Sequence, residues 1–229
     1  MGLAATRKLH LHRTYFAGRT IQRILSAADR FPASHPDAGC GTQRGTVIVL
    51  RSLWMLAAAC ALSALQSASA QDADALRARH AALAGALSSN PFQRPLHIES
   101  AQATDALRGD VYARLEQPHQ KVANALADID QWCDILILHL NVKSCRRSHA
   151  GSATTLVVLI GRKYDQRPEQ AYRVDFLYRI AAATPDYLRV VLNAESGPLG
   201  TKDYRIVLQA AALDAQRTFV QLSYSYSYG

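Results

Sequence analysis

Val111 to Leu140 reads VYARLEQPHQKVANALADIDQWCDILILHL, and what this stretch becomes decides the rest of the chain. Its first five residues, Val111 to Leu115, form a strand-like run that breaks at Pro118. A proline has no N–H to lose in a helix's first turn, so Pro118 suits a helix start. Val122, Leu126 and Ile129 then fall at i, i+4 and i+7, which gives a helix one apolar face. From Ile129 to Leu140 periodicity alone does not separate a second short helix from a buried strand. A short helix through Leu136, then extended chain, is the expectation. A helix inserted after an opening strand, ahead of many strands, predicts a sheet wrapped around a cavity.

Downstream the pattern is β. Thr154 to Gly161, Ala171 to Ala182, Tyr187 to Glu195, Tyr204 to Leu213 and Thr218 to Tyr228 read as five strands. In the second of these, Tyr172, Val174, Phe176, Tyr178 and Ile180 share one face, and Arg173, Asp175, Leu177 and Arg179 the other. The last strand places Val220, Leu222, Tyr224, Tyr226 and Tyr228 on one side. The connections carry Pro, Gly or Asp-Ala-Gln, so an antiparallel meander with one covered face is predicted. Gly197-Pro-Leu-Gly-Thr-Lys-Asp203 joins two strands and lacks the spacing of a phosphate loop. It reads as a turn that could rim a cavity mouth.

Upstream, Leu96 to Ser100 and Arg108 to Glu116 are two strands joined by a polar link, a hairpin. Asp72 to Ser89 is Ala-rich and helical, with Leu76, His80, Leu83 and Leu87 on one face and Asn90-Pro91 as its stop. It reads as a lid or brace packed on the sheet.

The first 70 residues are expected to stand outside the folded domain. Val47 to Leu65 reads VIVLRSLWMLAAACALSAL, and Ala68-Ser69-Ala70 follows as an A-x-A cleavage signal. Cleavage after Ala70 would leave Gln71 as the mature N-terminus of a periplasmic or secreted protein. The apolar run past Arg51 falls short of the roughly 20 residues a membrane span needs, so no stable span is expected after cleavage. A retained anchor, or lipid attachment at Cys60, is the alternative. Residues 1–46 are an Arg-rich leader or a mis-assigned extension, 47–70 the signal peptide, 71–90 the N-terminal helix and 91–229 the folded α+β domain.

This division removes most of the charge. The whole chain carries +8. From Gln71 on there are 18 Lys and Arg against 16 Asp and Glu, a balance of +2. A nucleic-acid partner calls for a basic face on the folded domain, and this composition gives none. Export would put Cys133 and Cys145 in an oxidising space, where a pair is commonly a disulfide; two buried free thiols are the alternative.

Candidate chemistry is sparse. Cys133, His139, Cys145 and His149 have zinc-ligand chemistry but not the spacing of a familiar finger. Asp134 and His139 could make an acid/base pair, with no nucleophile motif beside them. No catalytic residue, metal or cofactor is therefore assigned. Arg179, with Arg173 and Asp175, either meets an anionic head group inside a cavity or belongs to a solvated outer face. The tyrosines either line a cavity, each offering one hydroxyl, or form a core face awaiting cover.

Taken in order, Val111-Tyr-Ala-Arg-Leu-Glu-Gln-Pro118, the helix with Val122 and Leu126, the short helix with Trp132 and the run of strands resemble the START-like and polyketide-cyclase-like helix-grip superfamily. The resemblance covers about Leu96 to Tyr228. It implies a curved antiparallel sheet with helices on one face and a hydrophobic cavity under a long final helix. The chain stops at Gly229 after an aromatic strand, so it is expected to lack that helix and to leave an open groove beside the last strand. The implied function is binding of a small apolar or lipid-like ligand by Trp132, Tyr172, Phe176, Tyr178, Arg179, Tyr224 and Tyr226. A cyclase- or hydrolase-like enzyme on the same scaffold, or an interaction protein presenting an open sheet, are the alternatives. Oligomeric state is not indicated.

Overall fold

The computed structural model of the chain describes residues 69–150 and 153–229. The leader 1–46, the apolar segment from Val47 to Leu65 and Cys60 lie outside the described residues.

Helix α1 (69–82) and the short α2 (Ala84–Ser88) lead into the hairpin β1 (Leu96–Gln102) and β2 (Ala106–Leu115). Asn90 closes the helical segment: its Nδ2 donates to the carbonyls of Ala86, Leu87 and Arg94. Helices α3 (His119–Ala127) and α4 (Ile129–Leu136) follow, and then a meander of β3 (Val142–Ala150), β4 (Ala153–Ile160), β5 (Tyr172–Ala183), β6 (Tyr187–Ser196), β7 (Lys202–Ala212) and β8 (Thr218–Ser227). The strands form one eight-stranded antiparallel sheet in the order β1-β2-β8-β7-β6-β5-β4-β3. The last strand thus lies between the opening hairpin and the rest of the meander. This is the α+β, helix-grip-like arrangement that the order of elements predicts.

Because side chains alternate along a strand, neighbours in sequence face opposite sides of the sheet. The inner face carries Leu115, Leu156, Val174, Leu188, Val190, Leu192, Leu208 and Val220, each at most 4% exposed. Against it pack Val122 and Leu126 of α3 and Trp132 and Ile135 of α4. The two helices are separate. Asp128 is extended (φ −76°, ψ 115°) and its carboxylate accepts from the Asp130 N–H, capping α4. The single face from Val122 to Ile129 predicted by spacing is broken there, because an N-cap fixes a new helix start inside the run.

The outer face differs from the expectation that one face is covered. Tyr112, Tyr187, Ala211 and Phe219, opposite in parity to the inner set, bury against Ala73, Leu76, Leu83 and Leu87. So α1 braces the sheet from the side opposite α3 and α4. Asp72–Arg189 and Arg77–Asp186 ion pairs flank it. The apolar stripe of the N-terminal helices thus finds an apolar set of its own on the outer face.

Strand β3 is an addition to the expected set. Its sequence, VKSCRRSHA, has no apolar alternation. It lies at the sheet's edge, where charged residues blunt pairing with other chains. The expected disulfide is present: Cys133 of α4 is bonded to Cys145 of β3, with Cα atoms 5.2 Å apart.

Candidate functional site

The inner face divides into two halves. At one end α3 and α4 fill it. Trp132 is 1% exposed and donates its indole N–H to the Leu126 carbonyl at 2.9 Å. Its ring meets Tyr178 edge-on, centroids 6.4 Å apart. Tyr178 in turn donates its hydroxyl to the Ala127 carbonyl at 2.6 Å, satisfying an orphan carbonyl at the end of α3. Burial, with Asp128 close by, pushes the Tyr178 phenol up to about 12, so it stays a donor across the physiological range.

The other half is aromatic. Register places Tyr224 (β8), Ile206 (β7), Leu192 (β6) and Tyr178 (β5) in one cross-strand row. Beside that row Tyr204 stacks on Tyr226 at 5.3 Å with 15° between planes, and Phe176 meets Tyr204 edge-on at 6.0 Å. Tyr224 lies 5.7 Å from Tyr226, and Tyr228 extends the series at 6.2 Å. Phe176 and Tyr204 are buried, while Tyr224, Tyr226 and Tyr228 are half-buried and flank them. Burial and the neighbouring phenols of Tyr204 and Tyr226 raise the Tyr224 phenol far above its usual range. It too stays protonated.

The Gly197–Thr201 connection edges this half. Tyr204 donates its hydroxyl to Thr201 Oγ1 at 2.7 Å, and a Cβ at Gly197 would stand 2.4 Å from the Tyr204 ring. Only glycine lets the ring lie so close to the loop. Gly200 takes a positive φ of 77° in the same turn.

Of the residues singled out by sequence, Trp132, Phe176, Tyr178, Tyr224 and Tyr226 belong to one continuous cluster. Trp132 sits under the helices and not at the aromatic half. Tyr172, at the start of β5, is 53% exposed. Arg179 is exposed and pairs in register with Val191, on the outer face away from the aromatic set. Its neighbour Arg173 pairs with Asp175 at 2.8 Å on that face. The disulfide occupies both sulfurs that a zinc reading of Cys133 and Cys145 requires. His139, in the α4–β3 connection, accepts a hydrogen bond at Nδ1 from the Asn141 N–H, and burial lowers its pKa to about 4. It is a neutral acceptor, not a poised base.

Sequence reasoning missed two things. One is Tyr204, read only as the start of a strand, although its ring meets Phe176, Tyr224 and Tyr226. The other is a polar network on the outer face. Asp110, 7% exposed, accepts from Arg108, Gln221 and Ser223. Gln221 Oε1 accepts from Gln209, and Gln209 Oε1 accepts from Tyr187. The alternation Gln221, Ser223, Ser225 opposite the tyrosines was the available signal. Its meaning needed the register of β2 and β7 against β8.

No family model matches the sequence, and no curated protein does. Several solved structures are similar. The Zhui aromatase/cyclase from Streptomyces sp. R1128 is 13% identical over 58% of this chain and 70% of that one, with a TM-score of 0.40. Norcoclaurine synthase from Thalictrum flavum is 9% identical over 58% and 70%, TM-score 0.37. A START superfamily protein from Mycobacterium smegmatis is 11% identical over 52% and 75%, TM-score 0.35. The fold class itself rests on the strand order and helix insertion described above.

Proposed function

We propose that the chain is an exported binding module whose inner aromatic half takes a small apolar or lipid-like ligand. The observation that carries this is the cluster of Phe176, Tyr204, Tyr224 and Tyr226 beyond the edge of α3 and α4, where half-buried phenols border buried rings. Aromatic rings supply large contact area with one polar tip each. Tyr224 forms no hydrogen bond among the described residues, so its hydroxyl is available to a ligand oxygen. Among the described residues no acid/base pair converges on this half, and the reading is therefore binding rather than catalysis. Export is supported by the A-x-A signal at Ala68 to Ala70 and agrees with a disulfide in the domain.

The test uses the full chain with a neutral fluorescent probe, N-phenyl-1-naphthylamine. Saturable binding is expected, with Tyr224→Ala weakening it roughly tenfold, about 1.4 kcal/mol. Binding that never saturates, or that Tyr224→Ala leaves unchanged, removes the proposal. Protein secreted from an expressing cell is expected to begin at Gln71; Edman sequencing that starts upstream of residue 60 overturns cleavage at Ala70.

A further inference from the structure

We infer that the outer face holds a second site, for a tetrahedral oxyanion of the phosphate class. It lies on the opposite side of the sheet from the aromatic half and stands independently of it. The site is a depression of about 180 Å³ beside the area braced by α1, with Arg108, Arg189 and Arg205 around its margin and Ser223, Ser225 and Gln221 in its floor.

Strand register builds it. Arg108 on β2 and Arg205 on β7 both pair with Ser225 on β8, so the two arginines flank that serine. Their Cα atoms are two strands apart, roughly 10 Å, which leaves an ion between them within reach of both side chains. Arg189 comes in from the row of Gln209 and Gln221, giving a third direction.

The hydrogen-bond inventory is one-sided. The strong acceptors in and beside the floor are used: both oxygens of the neighbouring Asp110 by Arg108, with Gln221 and Ser223 also on Oδ1, and the amide oxygens of Gln209 and Gln221 by Tyr187 and Gln209. Donors remain. Arg189 gives Nη1 to Asp72, but its Nε is buried without any partner. Arg205 makes no ion pair and Ser225 no side-chain hydrogen bond among the described residues. Arg189 Nε is shut off from solvent and so from an ion in the depression; the accessible donors are those of the exposed Arg205 and of Ser225. Surplus donors with net positive charge call for an anion. Guanidinium groups converging from three separate strands suit an ion with three or four oxygens better than the two of a carboxylate.

The experiment is calorimetric titration of the full chain with inorganic phosphate, against sodium chloride at equal ionic strength. One-site binding is expected with phosphate and none with chloride. Arg205→Ala, at an exposed residue with no ion pair, should weaken binding at least tenfold with an unchanged melting temperature, and Arg205→Lys should recover part of it. In the ¹⁵N-arginine spectrum the Arg205 Nε–Hε signal should shift on titration. Absence of saturable phosphate binding, or equal binding by Arg205→Ala, overturns the site. Sedimentation with phosphatidylcholine vesicles containing phosphatidic acid separates the sources of the head group. Co-sedimentation lost in Arg205→Ala supports a lipid-borne phosphate; no co-sedimentation with phosphate binding intact supports a soluble one. The neutral naphthylamine probe reports the inner face alone, so failure of one site is distinguishable from failure of the other.

Discussion

At the scale of single residues, three histidines are held neutral by the fold. Desolvation lowers His80, His119 and His139, the last to about 4. An unfolded histidine titrates near 6.5. The folded state therefore binds fewer protons between those values, and stability present above about 6.5 is lost as pH falls towards 4. His139 adds a geometric reason, since a proton on Nδ1 removes the acceptor for the Asn141 N–H. Denaturant unfolding across pH 7 to 4 is expected to show a falling free energy, and His139→Gln should flatten part of the slope. A slope identical in the variant would assign the effect to His80 and His119. Little of this was legible in the sequence, where His139 drew attention as a ligand or base. Its apolar neighbours fitted a buried strand as well as a short helix, and the connection that buries it is set by tertiary packing.

At the scale of elements, the disulfide is a clamp between a core helix and an edge strand. Trp132 and Ile135 anchor α4 in the inner core, whereas β3 is bonded to a strand on one side alone. Cys133–Cys145 ties the exposed strand to the anchored helix across a sequence separation of 12. Closing a loop of that size is worth about 3 kcal/mol, by restricting the unfolded chain. The Cys133→Ser, Cys145→Ser double variant is expected to melt roughly 6–12 °C lower in a thermal scan. An unchanged melting point would show that the clamp adds nothing to what α4 and β4 already hold. The pairing was expected from a cleavage signal, taken to mean export, and from an even cysteine count. The strand carrying Cys145 was not, because an edge strand is selected for charge and leaves no apolar period to detect.

At the scale of the whole molecule, the strongly alternating strands, the two helices after Pro118 and their order were legible, and with them the helix-grip-like class. What sequence did not show was which face each helix takes. Leu76 and Val122 belong to equally plain apolar stripes, yet they pack on opposite sides. Parity assigns residues to a face within one strand; it does not say which helix meets that face. The same gap hid the outer polar network, whose members come from four strands. The place of β8 has a consequence for synthesis. The first hairpin finds its inner neighbour only in Thr218–Ser227, more than a hundred residues later. A growing chain can assemble β3 to β7 while β2 still shows an unmatched edge, and no partial product contains the finished sheet. Completion is thus reserved for Thr218–Ser227, which leaves the edge of the first hairpin unmatched until that segment has emerged from the ribosome.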